Sequence, residues 1–213
     1  MALDYLTYFV YAFASLFVIV NPVEATMVFI SLTSGMDQQE KRRIYGRATA
    51  VAFVVALLFA VAGNLVLEFF GITVDSLRVA GGVLLFLVAI DMLRGGRSHR
   101  KVTEAEMRDA NYREDISVFP LATPLLTGPG AITTVVVLMG SAANLYQKAE
   151  VLLALTLTFS ATYFILKFSE YIDRALGITG IMVMTRIMGL ILGAIAVNFV
   201  ATGAWDLYRA MAG

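Results

Sequence analysis

The sequence predicts an all-α membrane protein of six transmembrane helices, arranged as two inverted three-helix repeats with discontinuous first and fourth helices. Three observations carry this. The 213 residues are 59% hydrophobic and 15% charged, with a mean hydropathy of +0.80, whereas a soluble domain is about half apolar and a quarter charged. Six apolar stretches reach or approach the roughly 20 residues that a bilayer core of about 30 Å demands. Short motifs also recur in the two halves, in the same order and at one offset.

The stretches run approximately over 5–33, 47–70, 77–95, 118–142, 149–169 and 186–210. They form a single transmembrane domain over 1–213, with the first repeat in 1–95 and the second in 118–213. The connector over 96–117 is strongly charged, with Arg97, His99, Arg100, Lys101, Glu104, Glu106, Arg108, Asp109, Arg113, Glu114 and Asp115, and reads as solvated. In the first stretch, Ala12-Phe13-Ala14 imitates a signal-peptide cleavage site. Met1 to Tyr11 holds no Lys or Arg to make a basic n-region, so the segment reads as a retained span.

Basic residues set the orientation. The first, third and fifth connectors hold thirteen Lys and Arg, and the opposite side holds only Arg78, Lys148 and Arg209. Both termini are expected outside and the connector in the cytoplasm. Sixteen basic and sixteen acidic side chains balance to zero, which gives no reason to expect nucleic acid as a partner. The absence of cysteine removes disulfides, thiolate metal sites and Fe–S clusters. No cofactor or metal is expected, and homo-oligomerisation is left open.

The repeat is legible in particular residues. Asn21-Pro22-Val23-Glu24-Ala25-Thr26 in the first span aligns with Gly128-Pro129-Gly130-Ala131-Ile132-Thr133 in the fourth. Gly71-Ile72-Thr73 recurs as Gly177-Ile178-Thr179, and Arg78-Val79-Ala80-Gly81 as Arg186-Ile187-Met188-Gly189. Each half has three spans, an odd number, so the second enters the bilayer from the opposite side.

Pro22 and Pro129 interrupt their spans well inside the bilayer, and Asn21 and Gly128 before them are pushed out of helical geometry. The expectation is two helices that each restart at a proline, with Asn21 as an N-cap. A restarted helix offers free N–H groups and a positive dipole end, which suit a carboxylate. The unwound carbonyls suit an ammonium, so a small zwitterion fits both. Against this, isolated proline kinks are common packing features of membrane helices. Thr26 and Thr133 lie one turn past each break, within reach of the same site.

Glu24 lies at span depth, where a carboxylate is expensive, and it either binds the ammonium, carries a coupling proton or stays protonated in an overlong helix. Asp91 is a second candidate for proton coupling, although an interfacial ion pair with Arg94 is the plainer reading. Asn198 and Asn64 need partners inside the bundle, and Asn198 is counted among the substrate contacts. Arg78 and Arg186 read as interface anchors rather than gates. Gly189-x-x-x-Gly193 reads as helix packing.

At its two breaks the chain resembles the MarC family of bacterial and archaeal integral membrane proteins, which includes the SnatA small neutral amino acid transporters. The residues that carry the likeness are Asn21-Pro22 with Phe29 and Leu32-Thr33, and the run from Pro120 to Thr133. The resemblance implies a LysE-like fold and proton-coupled transport of glycine, alanine and similar amino acids. The chain departs from many members in having Met27 where they carry a second proline and Glu24 where they carry a small residue, which bears on the size and charge its pocket accepts.

A secondary transporter accounts for the inverted repeat and the paired breaks together. An enzyme is not expected, because the lone His99 sits in the connector and neither H-E-x-x-H nor G-x-S-x-G occurs. The alternative is a channel, or an exporter of other small metabolites or drugs. No carboxylate ring or filter-like run of carbonyls speaks for a channel.

Overall fold

The computed structural model describes residues 2–94 and 117–212; the connector 96–117 lies, apart from Ser117, outside the described residues. All regular structure among them is helical: α1 (Ala2–Val20), α2 (Pro22–Leu32), α3 (Gln38–Phe69), α4 (Val74–Leu93), a π-helical segment (Ser117–Leu126), α5 (Pro129–Ser141), α6 (Leu145–Lys167) and α7 (Ser169–Ala212). Five runs are long and apolar enough to cross a membrane: Leu6–Leu32 across the α1–α2 break, α3, α4, α6 and α7. Pro129–Ser141 is shorter. Outward faces are apolar, with Leu58, Leu65, Leu153, Leu190 and Val197 exposed. In water such a surface would aggregate; in lipid it is solvated.

Two helices differ from their expected bounds. Helix α3 begins nine residues earlier than the apolar stretch because Asp37 builds a capping box. Its Oδ1 accepts from the Gln39 and Glu40 N–H groups at 2.8 Å, and Glu40 accepts from the Asp37 N–H at 3.0 Å. The basic run Lys41-Arg42-Arg43 therefore rides on a helix rather than in a loop. Helix α7 begins at Ser169 and carries one non-helical residue, Gly177, at φ 61° and ψ 178°. Its counterpart Gly71, between α3 and α4, has φ 65°. Only glycine takes this backbone without strain.

Helices that are neighbours in sequence touch little; the main contacts run between the halves. Helix α4 packs along α7, α1 against α6, and α3 against both the π-helical segment and α5. Directions follow from paired residues. Tyr8 Oη donates to the Leu138 carbonyl at 2.7 Å while Ile19 meets Gly130, so α1 and α5 are antiparallel. Gly82 meets Ala196 and Val200, and Gly189 meets Ala89 and Met92, so α4 and α7 are antiparallel too. Thr127 meets Ala52 and Gly63 meets Val136, which makes α3 parallel to α5.

The ends of the bundle are distinct. Lys41 of α3 pairs with Glu170 of α7 at 2.7 Å, joining the first and fifth connectors on one side. On the other side Arg78 pairs with Asp206 at 2.9 Å. The Gly189-x-x-x-Gly193 pattern packs as expected, since both glycines face Ala89.

Close packing of α4 on α7 makes a testable distinction between glycines. A Cβ at Gly82 would lie 2.9 Å from the Ala196 carbonyl oxygen and 2.9 Å from the Val200 nitrogen, main-chain atoms that have no rotamer to yield with. Gly82→Ala is expected to cost about 1–3 kcal/mol in spite of its better helix propensity. At Gly46 the nearest atom is 4.0 Å away, and there the same change should gain up to about 1 kcal/mol. Thermal midpoints of the two variants in detergent should therefore move in opposite directions.

Candidate functional site

The first break is set by a single residue. Asn21 has φ 47° and ψ 61°, and it is the one non-glycine residue with positive φ among the described residues. The proline after it disfavours right-handed helix, and Asn tolerates the left-handed region better than most residues. The backbone turns but keeps two of its bonds: Asn21 N–H to the Phe17 carbonyl at 3.0 Å, and Ala25 N–H to the Asn21 carbonyl at 3.2 Å. Pro22 has no N–H to give, and the Val23 N–H makes no ladder bond back to Ile19.

Asn21 occupies the N-cap position, but its side chain does not cap, contrary to expectation. Its Nδ2 donates instead to the Glu24 carboxylate. This leaves Oδ1 buried with no hydrogen-bond partner among the described residues, on a residue only 2% exposed. A buried acceptor left unsatisfied costs about 1–3 kcal/mol. Thr26 is fully buried, and its hydroxyl turns back on the break by donating to the Pro22 carbonyl at 3.1 Å.

The second break is prepared differently. Pro120 and Pro124 lack N–H groups four residues apart, and the chain before the break winds as a π-helix rather than an α-helix. Thr127 N–H closes that segment on the Ala122 carbonyl at 3.0 Å. The Thr127 hydroxyl pins the break to α3 by donating to the Ala52 carbonyl at 2.9 Å. Neither the π-helix nor this anchor is marked by hydropathy; the paired prolines are the one signal for the former. Gly128 is extended at φ −79°, and α5 starts with Pro129 at its first turn. The Gly130 and Ala131 N–H groups have no ladder acceptors.

The two breaks adjoin. A Cβ at Gly130 would stand 2.9 Å from Ile19 Cδ1 and 3.2 Å from Leu85 Cδ2, so the start of α5 lies against the end of α1 with α4 as a third wall. The N-termini of α2 and α5 thus come together, each with a proline in its first turn. Thr133, 8% exposed, packs its methyl against Gly81 of α4. Asn21 and Pro22 at the first break thus stand near Gly128, Pro129 and Gly130 at the second, with Val23, Glu24, Ala25 and Thr26 following in α2 and Ala131 and Thr133 in α5. The place offers two dipole ends for a negative group, and the Asn21 Oδ1 with the Glu24 carboxylate for a positive one.

Two expected residues stand elsewhere. Asn198 meets Tyr11 of α1 rather than the residues of the breaks. It is exposed on α7, with its Oδ1 3.5 Å from the Thr202 hydroxyl, and lines a separate cavity of about 190 Å³ beside Tyr11 and Arg78. Asp91 is half-buried six residues beyond Leu85, about 9 Å further along α4 at the α-helical rise. It makes no ion pair with Arg94 among the described residues. The two arginines also part company: Arg186 is exposed and unpaired among the described residues, whereas the Arg78 side chain is 12% exposed and tied to two aspartates. Anchoring at the interface therefore suits Arg186 alone.

Apolar spanning helices, a lipid-compatible surface and discontinuous segments in the interior define a multi-pass helical membrane protein. Residues 6–208 match the MarC family of integral membrane proteins, and the chain belongs to that family. It is 41% identical over 198 residues to a UPF0056 membrane protein of Methanocaldococcus jannaschii, covering 93% of this chain and 96% of that one. It is 33% identical over 203 residues to the UPF0056 membrane protein YvbG of Bacillus subtilis (95% and 96% covered) and 34% over 205 residues to YhcE of Escherichia coli (96% and 95%). No solved structure matches the chain significantly.

Proposed function

We propose that the protein is a secondary transporter of small neutral amino acids such as glycine and alanine, working by alternating access and coupled to protons. It is a carrier rather than an enzyme, and its site lies between the breaks at Asn21 and Gly128. The observation that carries this reading is the buried, unpartnered Asn21 Oδ1 beside two opposed helix N-termini. A zwitterion satisfies both: its ammonium donates to Asn21 Oδ1 and the Glu24 carboxylate, and its carboxylate accepts from the Gly130 and Ala131 N–H groups.

The proposal includes six spans in two inverted halves, the fourth being the π-helical segment together with α5. Its support is the symmetry of the packing. Exchanging the first span with the fourth, the second with the fifth and the third with the sixth turns the contact of α1 with α6 into that of α5 with α3. The same exchange leaves the contact of α4 with α7 unchanged. Gly71 and Gly177, matched in sequence, share a left-handed φ. Lys41 and Glu170 on one side, with Arg78 and Asp206 on the other, agree with the alternation that six spans require. The basic connectors favour a cytoplasmic Lys41 side with both termini outside.

A thermal-shift and uptake screen of the purified protein against free amino acids tests the substrate class; preference for cations or sugars would contradict it. Glu24 is the proposed proton carrier, with Asp91 the lesser candidate because it stands away from the breaks. Glu24→Gln should flatten the pH dependence of alanine uptake into proteoliposomes, and an unchanged profile would remove Glu24 from the coupling step.

A further inference from the structure

The polar groups of the Arg78 side are not absorbed by the site at the breaks. Arg78, at the start of α4, donates from Nη1 to Asp206 of α7 at 2.9 Å and to Asp75 at 3.4 Å, and from Nη2 to the Ser141 hydroxyl at the end of α5. Ser141 in turn donates to the Val137 carbonyl at 2.6 Å. One guanidinium thus ties together α4, α5 and α7. Arg78 is itself part of the wall of a cavity of about 190 Å³, with Tyr8, Tyr11, Ser141, Asn198 and Thr202. Glu150, with its Oε2 buried and unpartnered among the described residues, lies within electrostatic reach of Tyr8 on the same side.

From the cavity wall at Tyr8 and Tyr11, α1 runs on to the break at Asn21. Tyr8, Tyr11 and Ser15 recur at helical spacing on one face of α1, and Ser15 is 1% exposed, one turn beyond the cavity wall. Two buried polar atoms, Ser15 Oγ one turn beyond Tyr11 and Asn21 Oδ1 at the break itself, follow the cavity along the chain. Burying unsatisfied polar atoms in an apolar bundle is costly, and a route that admits a polar solute accounts for both.

We propose that the cavity is a polar vestibule on the solute route between the Arg78 side and the breaks, and that Arg78 with Asp206, Asp75 and Ser141 is its gate, closed in this structure. The inference rests on the transporter reading. The exposed Arg186, which repeats Arg78 in the other half, has no such network among the described residues; the opposite side is tied instead by Lys41 and Gln38 to Glu170. Arg78 keeps Asp75 when Asp206 departs, so opening leaves no bare charge in the bilayer. A solute carboxylate can take the place of Asp206 on the guanidinium.

The cysteine-free chain allows a direct test that requires no knowledge of the substrate. A single Ser15→Cys reporter is exposed to a membrane-impermeant thiol reagent applied from the Arg78 side. Slow labelling is expected with the gate intact, at least tenfold faster labelling with Asp206→Asn or Ser141→Ala, and slow labelling again in the charge-swapped pair Arg78→Asp with Asp206→Arg. The two mild variants decide the matter even if the swap does not fold, folding being judged by a single symmetric peak on size exclusion. Equal labelling rates in the intact chain and both mild variants would overturn the gate. If labelling follows the gate but no amino acid is taken up, the substrate assignment fails and the gate stands.

Discussion

Asn21→Gly is expected to fold normally and to lose substrate affinity by about 10–150-fold. Glycine takes the φ of 47° found at this position without strain, so the break survives and the thermal midpoint should hold or rise. What disappears is the amide. The ammonium of the substrate loses one acceptor, and the Glu24 carboxylate loses the Nδ2 that holds it in place. A hydrogen bond to a charged group is worth about 1.5–3 kcal/mol, and that range sets the fold-change. Asn21→Ala serves as a contrast, because alanine lacks both the amide and easy access to this backbone. It should lose affinity and stability together. Isothermal titration with alanine, alongside melting curves, separates the two effects.

Gly130→Leu should abolish saturable uptake. The first side-chain carbon at this position would already stand 2.9 Å from Ile19 Cδ1 and 3.2 Å from Leu85 Cδ2, and a leucine side chain has three further carbons to place in the gap between the breaks. Gly130→Ala is milder, because the atoms it approaches are the flexible ends of Ile19 and Leu85. It should retain glycine uptake while lowering that of alanine about tenfold or more, the discrimination a single methyl group commonly brings in a tight pocket. Ratios of kcat/KM for glycine and alanine in proteoliposomes give the answer.

The two proline breaks and the apolar runs of α1–α2, α3, α4, α6 and α7 were legible in the sequence, because hydropathy and proline act locally. Other features were out of reach. The early start of α3 required reading Asp37 with Glu40 as a capping box against a run of charges that looks like a loop. The Asn21 side chain reads as a cap from its position alone, yet it turns to Glu24, a choice fixed by what surrounds it. The separation of Asn198 from the breaks depends on how α7 faces its neighbours, which a stretch apolar on nearly all sides does not encode. Arg78 and Arg186 are equivalent in the repeat but differ in surroundings, because Asp206 and Ser141 come from other helices.

The central claim is that the paired breaks bind a small zwitterion through both of its charges. Equilibrium binding of labelled alanine to the purified protein, competed by ethylamine and by propionate, tests it most directly. Ethylamine is alanine without its carboxylate and propionate is alanine without its ammonium, so each keeps one of the two charges. Neither should displace alanine at concentrations where glycine does, and Asn21→Gly should lose the binding. Displacement by ethylamine as effective as that by glycine, or binding that survives in Asn21→Gly unchanged, would contradict the account.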